Sequence, residues 1–190
     1  MADPTVLYLL RHGEIDRPPV AQFDDAVLTD PGRVQVHDLA LRWPHPVPDL
    51  IYCSHLARSV ETASILAAVF RRPLRTVRGL EEWAATEWDV PQDTYLEWER
   101  QCWADFDHVN YEGESLHHAT DRILDVLSRI VKDHPGRPVL VSGHAILFSL
   151  FRAHVLGERA TEDAKNRIGF AWYAIVEHQD RFRVARDFGP

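Results

Sequence analysis

Four short stretches hold the residues of this sequence that could do chemistry. The first is Arg11-His12-Gly13-Glu14, which ends the apolar run Leu7-Tyr8-Leu9-Leu10. Such a run reads as a buried strand that delivers polar groups at its carboxyl end, where open α/β sheets bind ligands. Histidine can act as nucleophile, base or ligand, and an adjacent arginine favours an anionic, usually phosphorylated target. The glycine lets other backbone or substrate approach the imidazole closely. The second stretch, residues 54–58, ends at Arg58; the third, residues 79–82, ends in Glu81-Glu82; the fourth holds His144. Each follows a predicted strand, so all four can converge on one crevice. Two arginines, two histidines and a carboxylate around an anion hole form a phosphoryl-transfer constellation.

The elements that must position these groups alternate. A strand over residues 6–10 leads into a loop through Pro18, Pro19 and Gln22. Asp30 reads as an N-cap with Pro31 at the first helical position, opening a helix to about Trp43. Pro44, Pro46 and Pro48 end it. A strand over residues 50–53 follows, and Ser54 is placed to cap a helix running to about Phe70. The apolar positions Leu56, Val60, Ala63, Leu66 and Val69 of that helix recur at helical spacing. A third strand covers residues 73–77. Ser115 is placed to cap a long helix carrying Ile123, Val126, Leu127 and Ile130. A fourth strand over residues 139–141 precedes Ser142-Gly143-His144 and a helix rich in Leu and Phe. Residues 170–176 and 182–185 read as a terminal hairpin. Strand–helix alternation of this kind predicts an α/β fold: a mostly parallel sheet with helices on both faces. Helix N-termini after the second and fourth strands add backbone donors and partial positive charge to the crevice.

Composition bounds the function. A chain of 190 residues with 45% hydrophobic and 26% charged residues suits one globular domain over residues 1–190. It has no apolar run of membrane-spanning length, and its start lacks the basic and apolar regions of a signal peptide. Cys53 and Cys102 make neither a disulfide framework nor a zinc motif. A cytoplasmic setting follows as the default expectation. The net charge of −8 is uneven: residues 81–114 hold eleven acids against Arg100 alone, a balance of −10, and the other 18 acids and 20 bases sum to +2. Nucleic acid, which needs a basic face, is therefore not expected as a partner, and neither is a membrane. The acidic insert at about residues 81–112 carries four of the six tryptophans, Trp83, Trp88, Trp98 and Trp103. These either pack the insert against the core or line a lid that selects the group carrying the phosphate. No metal-ligand spacing surrounds His117 and His118, and no metal or cofactor is expected.

Arg11-His12-Gly13-Glu14 resembles the signature of the histidine phosphatase superfamily, the phosphoglycerate mutase-like proteins. Supporting stretches match in order. Leu28-Thr29-Asp30-Pro31-Gly32-Arg33 is similar to the family's Leu-Thr-x-x-Gly-x. Residues 54–63, beginning Ser54-His55-Leu56-Ala57-Arg58, resemble its Ser-x-Leu-x-Arg-Ala-x-Gln-Thr-Ala. Leu80-Glu81-Glu82 fits its Leu-x-Glu, Gly113-Glu114-Ser115 its Gly-Glu-Ser, and residues 139–144 its second histidine strand. The resemblance implies a three-layer α/β/α sandwich, phosphoglycerate mutase-like, with a mixed sheet and no metal. It also implies site roles: His12 as phosphoryl acceptor, Arg11, Arg58 and His144 as phosphate-holding groups, and Glu82 as proton donor. His144 counts among the catalytic groups with His12 and Glu82. Glu81 competes with Glu82 for the acid role; the spacing from Leu80 favours Glu82. Ile15, Pro18 and Ala145 stand where members often have a hydroxyl residue, Asn and Gly.

The implied function is a phosphatase that hydrolyses a phosphomonoester of a small molecule through a phosphohistidine. Alternative readings are a cofactor-dependent phosphoglycerate mutase, a phosphohistidine-protein phosphatase, and a catalytically weak regulator that binds phosphorylated partners. The −10 insert disfavours retention of a bisphosphorylated mutase intermediate. The sequence names neither the substrate nor the oligomeric state.

Overall fold

The computed structural model of the chain describes residues 3–16, 25–84, 90–110 and 112–190. Pro18, Pro19, Gln22 and Trp88 therefore lie outside the described residues. In chain order the elements are β1 (Thr5–Arg11), α1 (Asp30–Leu41), β2 (Leu50–Cys53), α2 (Ala57–Phe70), β3 (Leu74–Thr76) and α3 (Gln92–Ala104). There follow α4 (Leu116–Asp133), β4 (Pro138–Gly143), α5 (Ala145–Leu156), α6 (Glu162–Asn166), β5 (Tyr173–His178) and β6 (Phe182–Gly189).

The strands form one sheet in the order β3-β2-β4-β1-β5-β6. The first four are mutually parallel; β5 runs antiparallel to β1, and β6 to β5. The fold is thus the mixed, mostly parallel sheet that the sequence predicts. Successive strand residues point to opposite faces, and the core divides accordingly. Leu7, Leu9, Tyr52, Val139 and Val141 face α4 and α5 in one cluster with Ile123, Val126, Leu127 and Ile130. Tyr8, Leu10, Ile51, Cys53 and Leu140 face α1 and α2 in the other, with Val36, Ala40, Ala63 and Leu66. Because central strands are buried on both faces, they read as continuous apolar runs. No helix among the described residues is long and apolar enough to cross a membrane.

Two cap assignments need correction. Thr29, not Asp30, caps α1: its Oγ1 accepts from the Gly32 N–H at 2.9 Å, while Asp30 is already helical and pairs with Arg33. Ser54 does not cap α2. Leu56 holds the cap position without a side-chain bond, because the Ser54 hydroxyl is engaged elsewhere. Ser115 does cap α4, accepting from the His118 N–H. The five-residue α6 lies in a stretch with too few apolar residues to show a helical period.

The insert contributes to the core. Trp83 is 1% exposed and Trp103 8%, both within the cluster under α4, whereas Trp98 is partly buried against it. The Trp83 indole N–H donates to the Glu114 carbonyl at 2.5 Å. Replacing Trp83 with alanine is therefore expected to cost ~3–5 kcal/mol in denaturant unfolding, with selectivity ratios among substrates unchanged. A changed selectivity at preserved stability would return Trp83 to a lid role.

Candidate phosphoryl-transfer site

The parallel register sets the site. Arg11 lies opposite Gly143 across the β1–β4 ladder, and His12 continues the ladder by donating its N–H to the Gly143 carbonyl at 3.0 Å. The two histidines that follow these strands, His12 and His144, therefore meet, with ring centroids 5.3 Å apart and planes tilted by 55°. Both are buried, His12 at 4% and His144 at 0% exposure. The β2 end lies on the other side of β4, so Ser54 and Arg58 arrive beside His144.

The His12 ring is oriented by its own backbone. Its Nδ1 lies 2.8 Å from the Gly13 carbonyl oxygen, which can only accept, so Nδ1 carries the proton and Nε2 keeps a lone pair. Gly13 is required by close approach: a Cβ there would meet Val36 Cγ2 at 2.7 Å and the Gly32 carbonyl at 2.9 Å. The neighbour demanding the glycine is thus α1, rather than a substrate. The Gly13 N–H donates to Thr62 Oγ1 at 3.1 Å, and that hydroxyl donates to the Arg58 carbonyl at 2.8 Å. This pair ties the histidine loop to the first turn of α2, where Arg58 is buried. Arg11 lies with its guanidinium 4.0 Å from the Phe170 ring centroid and donates to the Ile168 carbonyl.

His144 is the N-cap residue of α5, with Nε2 2.8 Å from Ser54 Oγ. Burial drives its pKa well below the usual 6.5, reinforced by the positive charge of Arg58, then by His12, Arg11 and Arg122. It is therefore a neutral imidazole at physiological pH.

The two candidate acids are turned in different directions. Both oxygens of Glu82 rest on the N-terminus of α5: Oε2 accepts from the Ile146 N–H at 3.0 Å and Oε1 from the Leu147 N–H at 3.0 Å. Carboxylates are favoured at helix N-termini, where unsatisfied N–H groups and the helix dipole converge. Glu82 thereby sits over the helix that begins directly after His144. Glu81 instead contacts His55 Nδ1 at 2.7 Å, accepts from the Gly79 N–H at 2.5 Å and lies 3.6 Å from Arg122. Arg122 holds this loop from below, donating to the Gly79 and Glu81 carbonyls and gripping Glu114 with two nitrogens. Glu14 serves α1, its carbonyl accepting from the Thr29 N–H and its carboxylate from the Thr29 hydroxyl.

Beside Arg11 opens a cavity of about 460 Å³ lined by Glu14, Ile15, Ala145, Lys165, Asn166 and Phe170. Lys165 is held there by a 2.5 Å ion pair with Glu99 of α3, itself 5% exposed. Three of these groups carry no sequence signal. Phe170 under Arg11 reads only as strand, and Lys165 and Asn166 belong to the short α6. Ser54 was visible, but as a cap.

Solved structures share this architecture. Bacillus stearothermophilus YhfR matches with a TM-score of 0.81 at 24% identity, covering 96% of each chain. The mycobacterial glucosyl-3-phosphoglycerate phosphatase matches with a TM-score of 0.78 at 23% identity, covering 95% of this chain and 97% of that one. Phosphoserine phosphatase from Entamoeba histolytica, in complex with phosphoserine, matches with a TM-score of 0.81 at 19% identity, covering 97% of this chain and 96% of that one. At these identities the likeness speaks for the fold. Among curated proteins, none matches the chain in sequence. The profile of the histidine phosphatase superfamily (branch 1) matches residues 7–188, nearly the whole chain, and the protein belongs to that superfamily.

Proposed function

We propose that the chain hydrolyses a small-molecule phosphomonoester through a phosphohistidine on His12. The observation that carries this reading is the His12 ring: Nδ1–H donates to the Gly13 carbonyl, so Nε2 carries the lone pair, in a ring whose centroid lies 5.3 Å from that of the neutral His144. In the first step Nε2 bonds to phosphorus while the ester P–O bond breaks, and the departing oxygen takes a proton from Glu82. In the second, water attacks the phosphohistidine, the N–P bond breaks back to neutral His12, and Glu82 recovers the proton from that water. Arg11 and Arg58 offset the charge on the phosphoryl oxygens. Dividing the reaction replaces one hard step with two easier ones.

The leaving group falls to the cavity beside Arg11. Among the described residues lining it, Lys165 is already paired with Glu99 and Glu14 adds a carboxylate, which disfavours a second phosphate there. The structural relatives named for phosphatase activity on phosphoserine and glucosyl-3-phosphoglycerate support the reaction type. A panel of phosphomonoesters at equal concentration tests the selectivity. Esters of neutral, aromatic or cationic alcohols are expected to turn over at least about tenfold faster than bisphosphorylated sugars or glycerates, the effect of ~1.4 kcal/mol of like-charge repulsion. Preference for the bisphosphates would overturn this and favour a mutase.

A further inference from the structure

The structure assigns Ser54 as the residue that fixes the tautomer of His144, so that His144 meets a bound phosphoryl oxygen as a neutral Nδ1–H donor. The inference rests on the proposal that a phosphoryl group occupies this site. Its basis is a count of donors and acceptors around one hydroxyl.

Ser54 and His144 are both fully buried, and Ser54 Oγ lies 2.8 Å from His144 Nε2. The Ser54 oxygen also accepts from the Leu56 N–H at 3.3 Å. A hydroxyl has one proton to give and two lone pairs to offer. If His144 carried its proton on Nε2, Ser54 would accept twice, and its own proton would find no acceptor among the described residues. The bare Nδ1 would then be a second unmatched group, because that buried nitrogen also has no partner there. A buried donor or acceptor left unmatched in this way is destabilising.

The opposite arrangement leaves one unmatched group instead of two. Ser54 accepts from Leu56, donates to Nε2, and leaves the proton on Nδ1. The Nδ1–H then lacks only an acceptor, and a phosphoryl oxygen is one. A bare Nδ1 would instead point a lone pair at that oxygen. The ring is buried beside Arg58 and Arg11, which keeps it from charging. It thus offers a hydrogen bond without adding a positive charge, and the arginines alone supply the charge. Ser54 touches no reacting atom and is a positioning residue.

Nitrogen-15 spectroscopy of histidine-labelled protein tests the assignment, with the His144 signals identified by their loss in His144→Asn. At pH 7.5 the native protein is expected to show Nδ1 protonated and Nε2 bare, with a further shift of Nδ1 on adding inorganic phosphate. In Ser54→Ala the Nε2–H tautomer is expected to become substantial, with phosphate affinity and kcat/KM each about tenfold lower. Ser54→Thr, which keeps the hydroxyl, is expected to restore the native tautomer. A protonated Nε2 in the native protein, alone or with Nδ1, overturns the proposal whatever the variants do. So does a His144 spectrum indifferent to phosphate. Absence of an acid-labile phosphoryl group on His12 would instead sink the hydrolytic mechanism, since the tautomer and phosphate shift are read without turnover.

Discussion

His12→Ala is expected to abolish turnover of every phosphomonoester, a loss on the order of 10⁴–10⁶-fold, as when other covalent nucleophiles are removed. Rapid mixing with a labelled substrate, followed by a quench without acid, should trap a phosphoryl group on the native protein and none on the variant. The expectation follows from the geometry. Nε2 is the ring nitrogen of His12 that carries the lone pair, because Nδ1 keeps its proton and donates it in a hydrogen bond to the Gly13 carbonyl. Alanine deletes that nitrogen but leaves the ladder bond from the residue 12 N–H to Gly143, which belongs to the backbone. The variant should therefore keep its fold, and its unfolding transition shows whether it does. Full labelling of folded His12→Ala would place the acceptor elsewhere.

Glu82→Gln should separate the acid from the nucleophile. Proton transfer to a departing oxygen is worth ~10²–10⁴-fold where that oxygen needs a proton. An alkyl phosphate needs it; p-nitrophenyl phosphate, with its stable phenolate, does not. The variant is thus expected to lose ~10²-fold or more on the alkyl ester while forming phosphoenzyme from the aryl ester at close to the native rate. A structural cost accompanies the change. Both Glu82 oxygens accept backbone N–H groups from Ile146 and Leu147, and the glutamine NH₂ must face one of those donors. Leaving that donor unpaired should lower stability by ~1–3 kcal/mol. Equal losses on both esters would mean that Glu82 positions the phosphate or α5, and the acid would then be sought at Glu81.

Much of this was legible locally. The apolar runs that become β1, β2 and β4 are visible because a strand buried on both faces excludes polar residues along its length. The periodicity of Ile123, Val126, Leu127 and Ile130 marks α4, and Ser115 caps it, because both signals act within a turn or two of helix. The polar residues just beyond the strand ends announce a crevice, and their types announce phosphoryl transfer. Family membership follows from the same motifs in order.

Tertiary structure decided what depends on a distant partner. Thr29 competes with Asp30 for the cap of α1, and the choice fell to Thr29, whose hydroxyl also reaches Glu14 of the histidine motif. Ser54 has the chemistry of a cap, yet its hydroxyl is taken by His144, ninety residues away in sequence. Glu81 and Glu82 are chemically identical neighbours. Glu82 alone turns to the N-terminus of α5, 64 residues on, while Glu81 turns to His55 and Gly79. Trp83 is aromatic wherever it lies, and only the packing of α4 over it made it core. The sequence determined by itself the periods, the strand-end residues and therefore the chemistry available. A buried hydroxyl or carboxylate takes the partner that leaves fewest donors and acceptors unmatched, and which partners are within reach exists only once the chain has folded.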